Sequence, residues 1–137
     1  MPIKQEFYSQ SSLAVAQKLL GCFLMRAING RIVKFIIVET EAYEGFRDKA
    51  SHASRGKTPR NEVMFGPPGH IYVYFTYGMH YMLNIVTGKN GYPSAVLVRA
   101  VKPIDKSNDL RLTTNDLRLA YAGPARLTKS LRIDKTF

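Results

Sequence analysis

Phe35-Ile36-Ile37-Val38-Glu39-Thr40-Glu41-Ala42-Tyr43-Glu44-Gly45 begins apolar and β-branched and ends acidic, keeping its alternation throughout. Phe35, Ile37, Glu39, Glu41 and Tyr43 share one parity; Ile36, Val38, Thr40 and Ala42 share the other. In a strand each set faces one side of the sheet. The pattern therefore predicts a strand that presents two carboxylates and a tyrosine on one face. Most charged residues at a strand end are simply solvated. The alternative is a general base beside an aromatic platform. Alternation alone makes Glu39 and Glu41 equal candidates for that role.

Upstream, Asn29-Gly30 is a two-residue hairpin signal, because a type I′ turn needs positive φ at both central positions. It joins a strand over residues 22–28 to a return strand that starts near Arg31 and runs into 35–45. Before it, Ser11-Ser12 offers an N-cap for a short helix. Leu13, Val15, Ala16, Leu19 and Leu20 form the expected apolar face, and Gly21 the expected C-terminal cap.

Downstream, residues 44–70 are rich in glycine, proline and basic side chains and show no sustained period. Only 62–65 reads as a turn of helix. A long irregular segment in a small domain is usually functional or disordered. Ile71-Tyr72-Val73-Tyr74-Phe75-Thr76 is an aromatic, β-branched strand. Residues 79–86 form another extended run, Lys89-Asn90-Gly91 a second hairpin signal, and 94–101 a further strand. A helical turn is expected over 116–121. Gly123-Pro124 opens a last helix that buries Leu127 and Leu131. The pattern predicts one α+β domain over 1–137, a mostly antiparallel sheet with short helices at its margins.

Twenty Lys and Arg against ten Asp and Glu give a formal charge of +10, which favours a polyanionic partner, nucleic acid first. The single cysteine, Cys22, forms no internal disulfide and suits a reducing compartment. No zinc-like Cys/His spacing occurs. No apolar run reaches the length of a membrane span and no signal-peptide pattern opens the chain, so a cytoplasmic location is expected.

Several residues bear on chemistry. Tyr72 and Tyr74 share a strand face, where tyrosines usually pack. Tyr77, beside Gly78, is placed to wedge between bases. His52 stands alone in the basic loop. Asn84, inside an apolar run, needs a hydrogen-bond partner. Arg99, in Val-Leu-Val-Arg-Ala-Val, needs an anion if buried, which Glu39 or Glu41 supplies.

The strings VETEAYEG (38–45), TPRNEVMF (58–65), IYVYFTYGMHYMLNI (71–85), AVLVRAV (95–101) and GPARLTKSL (123–131) occur in that order, with His52 between the first two. Together they resemble the alkyladenine (3-methyladenine) DNA glycosylase family over nearly the whole chain. The helix ending Lys-Leu-Leu-Gly fits as well. The resemblance implies a curved antiparallel sheet with a protruding β-hairpin that inserts into DNA. It implies a monofunctional enzyme that flips alkylated or deaminated purines out of duplex DNA and hydrolyses the N-glycosidic bond.

By that resemblance Glu41 is the general base and Arg99 helps to hold the catalytic water and carboxylate, with Glu39 supporting. Tyr43, His52 and Tyr74 wall the base pocket, and Asn84 excludes guanine. Tyr77 fills the gap in the stack, with Met79 and His80 beside it on the duplex. Arg55, Lys57, Thr58 and Arg60 meet phosphates. No cofactor, no metal and no membrane are implied; the expected state is a monomer in the bacterial cytosol or nucleoid, or the nucleus in a eukaryote. The chain departs from the family pattern in a compressed segment over 102–122 and in stopping soon after the GPARL helix, where family members continue with further strands. The alternative readings are a DNA-binding relative with a shortened C-terminus that has lost turnover, and an RNA-binding protein without catalysis.

Overall fold

The computed structural model describes residues 1–76, 80–104 and 123–136. The expected roles of Tyr77 and Met79 and the expected turn over 116–121 lie outside the described residues. Five strands form one sheet in the order β1-β2-β5-β4-β3: β1 (Phe23–Ile28), β2 (Arg31–Glu44), β3 (Ile71–Thr76), β4 (His80–Val86) and β5 (Ser94–Pro103). Every pairing is antiparallel. Helices α1 (Gln5–Tyr8), α2 (Ser12–Leu19) and α3 (Pro124–Ser130) flank the sheet. The segment between β2 and β3 holds three short 3₁₀ turns, at Gly45–Arg47, His52–Arg55 and Glu62–Phe65. The α+β reading holds.

Local chemistry explains the element ends. Asn29 and Gly30 have φ of 50° and 75°, the positive values that the tight β1–β2 turn demands. The Ser11 side chain accepts from the Ala14 N–H at the start of α2. Glu44, at the far end of β2, also accepts from the Ser12 N–H and hydroxyl, tying that helix start to the sheet. Val15, Ala16 and Leu19 are buried, whereas Leu13 and Leu20 are exposed, so the apolar stripe of α2 is narrower than expected. Leu127 and Leu131 are fully buried.

Two hydrophobic clusters lie on the two faces of the sheet. The larger packs α2 and α3 residues against Phe35, Ile37, Leu83, Val96, Val98 and Val101. The smaller gathers Tyr72, Tyr74, Val86 and Ala95 with Ala53 and Met64 from the long loop, and Tyr43 and Met82 pack against it.

The division corrects the parity expected for residues 35–45. Phe35 and Ile37 belong to the helix-side cluster, and so does Ala42. The Thr40 hydroxyl donates to the Ala16 carbonyl of α2 at 2.9 Å. Glu41 and Tyr43 therefore face the other side from Phe35 and Ile37. The cause is an irregular step in the β2–β5 register between Ile37 and Thr40. Both strands advance three residues across the step, Ile37 to Thr40 and Val101 to Val98, and an odd step reverses the facing of everything beyond it. The partner strand changes parity at the same place, because Val101 and then Val98 lie in the helix-side cluster.

Phe35 is fully buried in this core. Phe35→Ala is expected to lower stability by about 3–5 kcal/mol, read as a shift of the urea midpoint with little change in slope.

Candidate active site

Antiparallel pairing sets four side chains in one row across the sheet: Tyr72 opposite Asn84, Asn84 opposite Leu97, and Leu97 opposite Glu41. Directly paired residues share a face, so the row extends from the tyrosine of β3 to the carboxylate of β2. Tyr74, Tyr43 and Arg99 stand two residues along their own strands from members of this row.

The loop over 51–64 closes the face from above. His52 stacks on Tyr74, with ring centroids 3.9 Å apart and planes 18° apart. The loop is held by Asn61, which is buried. Its amide donates to the Gly56 carbonyl at 3.0 Å and accepts from the Thr58 N–H at 2.7 Å, and it lies 3.5 Å from the His52 carbonyl. Between sheet and loop lies a small cavity of about 40 Å³, lined by Tyr43, Ser51, His52, Met64, Tyr72, Tyr74, Thr76, Met82, Asn84 and Leu97.

Glu41 stands at the side of this cavity with both carboxylate oxygens engaged. The Tyr43 hydroxyl donates to Oε1 at 2.8 Å, and Arg99 Nη1 donates to Oε2 at 2.7 Å. The ion pair is half-exposed, so its direct contribution to stability is small. It fixes the orientation of the carboxylate, and each oxygen keeps a second lone pair for another donor. Burial, then the hydrogen bond and charge of Glu41, push the Tyr43 phenol up to about 12. His52 is pulled below its usual value by burial and then by the charge of Arg60. Burial also raises the phenol of Tyr72. Asn84 is buried and its amide donates to the Met82 carbonyl, so its polar group is satisfied as expected.

The structure brings Tyr43, His52, Tyr74 and Asn84 around one cavity, with Glu41 and Arg99 beside it. Of the two glutamates, Glu41 alone holds Arg99; Glu39 is exposed at the irregular step. The basic residues are dispersed. Arg55 is exposed, and Lys57 pairs with Glu62 at 3.1 Å. The Arg60 guanidinium lies over the Tyr74 ring at 4.7 Å and donates to the Phe75 carbonyl. His80 lies on a separate groove beside Lys129 and Arg132 of the α3 end. Sequence reasoning passed over Met64, Met82 and Leu97 as wall residues. The parity of Met82 on β4 and Leu97 on β5 marks a face, but nothing local marks that face as a cavity, and Met64 reaches it from the 3₁₀ turn at Glu62–Phe65. It also passed over Asn61, whose amide in the TPRN string was a usable signal.

A row of aromatic and amide groups thus lines a cavity beside a glutamate held by a tyrosine and an arginine. A family model described as methylpurine-DNA glycosylase matches residues 6–137. The chain belongs to the methylpurine-DNA glycosylase family. It is 53% identical over 137 residues to a "Putative 3-methyladenine DNA glycosylase" of Carboxydothermus hydrogenoformans, covering 98% of this chain and 71% of the relative. A protein of the same name from Chlorobaculum tepidum is 48% identical over 92% of this chain and 62% of its own length. One from Methanocella arvoryzae is 47% identical over 98% of this chain and 70% of its own length. The chain thus spans about two thirds of the length of these relatives. Among the described residues no helix is long and apolar enough to cross a membrane, and no cluster of three His, Cys, Asp or Glu is placed to hold a metal ion.

The Tyr43 phenol should titrate near 12 in the folded protein, against about 10 in the unfolded chain. A folded value above the unfolded one means that this contribution to stability is complete below pH 10 and is lost as pH rises toward 12. Difference absorbance at alkaline pH reads the titration. Glu41→Gln should lower the midpoint, leaving the part due to burial.

Proposed function

We propose that this chain excises damaged purines from duplex DNA by hydrolysing the N-glycosidic bond. The observation that carries the reading is the Glu41 carboxylate, held by Tyr43 and Arg99 at the side of an aromatic-walled cavity. Pure binding of a polyanion has no use for a carboxylate there; hydrolysis at a sugar carbon does.

The reaction has one covalent exchange. The bond from C1′ to the purine nitrogen breaks, and its electron pair goes to the base. Water adds its oxygen to C1′ and gives its proton to Glu41. The transition state resembles an oxocarbenium ion, which a nearby carboxylate also stabilises. Arg99 orients that carboxylate and Tyr43 donates to its other oxygen, so the geometry is set before substrate arrives.

A base within the stack is out of reach, so the nucleotide must leave the helix. The aromatic lining of the cavity suits the extruded base. Alkylated purines such as 3-methyladenine and 7-methylguanine are cationic, and aromatic faces attract cations. Hypoxanthine is neutral and depends more on shape and hydrogen bonding. Asn84 is the residue assigned to reject the exocyclic amine of guanine. Tyr77, flanked by Met79 and His80, is assigned to the gap in the duplex, and Arg55, Lys57 and Thr58 to backbone phosphates, where the charge of +10 assists encounter. The chain works as a monomer in this scheme.

Release of free base from methylated duplex DNA tests the reading. Wild-type protein should release it, and Glu41→Gln should be slower by about 100-fold or more. A folded wild-type protein that releases no base overturns the activity; a mutant as fast as wild type removes Glu41 from its role. Tyr77→Ala should weaken binding to lesion-bearing duplex by about 10-fold or more, with little change on undamaged duplex. Equal affinity for the lesion duplex would remove the wedge.

A further inference from the structure

Arg60 is held along β3 by three contacts. Its guanidinium lies 4.7 Å from the Tyr74 ring centre and donates to the Phe75 carbonyl, and its own carbonyl lies 3.5 Å from the Tyr72 hydroxyl. Tyr72 and Tyr74 both line the cavity. Among the described residues no Asp, Glu, Lys or Arg lines it. Glu41 and Arg99, at its side, offset each other as an ion pair. Among the described residues Arg60 is therefore a fixed positive charge at the edge of a pocket whose lining carries none, and the described ion pairs give it no carboxylate partner.

We propose that Arg60 is a specificity-determining residue that favours release of neutral purines over cationic ones, in place of the phosphate contact its charge suggests. The inference rests on the glycosylase reading above. When the C1′–N bond breaks, the electron pair enters the base, whose charge falls by one unit. A cationic 7-methylguanine leaves neutral. A neutral hypoxanthine leaves as an anion and then takes a proton from solvent.

A fixed cation near the base acts differently on the two. For the cationic base it repels the bound ground state and is indifferent to the departing neutral purine. Bound substrate is weakened, and kcat/KM, which compares free substrate with transition state, is almost unchanged. For the neutral base it is indifferent to the ground state and attracts the departing anion, so kcat/KM rises. The same charge thus separates two substrates that share shape and size.

The test is single-turnover and steady-state release of hypoxanthine and of 7-methylguanine from matched duplexes, by wild type, Arg60→Gln and Arg60→Lys. Gln keeps an N–H donor for the Phe75 carbonyl and removes the charge; Lys keeps the charge. Arg60→Gln should lower kcat/KM for hypoxanthine by about 10-fold, the order expected of one partly solvated charge, and leave that for 7-methylguanine within about twofold. KM for 7-methylguanine should fall, and Arg60→Lys should keep most of the wild-type ratio. Binding to undamaged duplex, and its dependence on salt, should be unchanged, because a lost phosphate contact would reduce the salt slope by about one.

An unchanged ratio of the two substrates overturns the proposal. So does an equal loss on both in Gln and Lys variants, which would make Arg60 a prop for Tyr74. A reduced salt slope returns it to the phosphates. Failure of the wild type to release either base defeats the glycosylase reading instead, so the two outcomes are separable.

Discussion

The irregular step between β2 and β5 decides where every functional group points. A β-strand has no choice of face except by parity, and an odd step in the pairing inverts it. Up to Ile37, β2 sends alternate side chains into the helix-side core. From Thr40 onward the same core receives Thr40 and Ala42, leaving Glu41 and Tyr43 on the pocket side. Without that step, the residues that anchor the strand and those proposed to act on substrate would share a face. The carboxylate would then stand in the same layer as Phe35, where an ion is costly.

The inversion also places different chemistry on the two faces of the sheet at β2. The helix-side face is filled by aliphatic residues and Phe35 in close contact with α2 and α3. The opposite face is aromatic and incompletely filled, and its cover is a loop held by single polar groups such as Asn61. A helix would cover that face with a continuous apolar stripe and leave no cavity. A loop pinned by an amide leaves space between its side chains and the sheet, and bound ligands commonly occupy such space.

Much of this was legible in the residues. Asn29-Gly30 named its turn, Ser11 its helix start, and Leu127 and Leu131 their burial, because each depends on interactions within a few positions. The strand pattern of 71–76 likewise placed Tyr72 and Tyr74 on one face. The facing of Glu41 was not legible, since a register irregularity belongs to two strands at once and β5 lies more than fifty residues away. Leu13 and Leu20 read as core by spacing alone, yet the sheet is covered by a narrower stripe of α2. Helix α1 has four residues and no periodicity to detect. At the site, choosing between Glu39 and Glu41 required the resemblance or the Arg99 contact; alternation treats them alike. Arg60 read as one more loop cation, because its approach to Tyr74 is made by tertiary folding.

Placing core and pocket on opposite faces separates stability from chemistry. Val15, Leu19, Phe35, Val98 and Leu127 contact one another on one side and set the cooperative core. Glu41, Arg99, His52 and Arg60 are partly exposed on the other and bury little apolar area. Groups that share no neighbours contribute almost independently. These polar groups can therefore vary with little effect on the fold, provided the step in β2 and its Thr40 tether to α2 are kept. Tyr72 and Tyr74 are the exception: they are buried in the second cluster and also line the cavity. They join the two functions of the sheet, so the pocket has least freedom where its walls are also core.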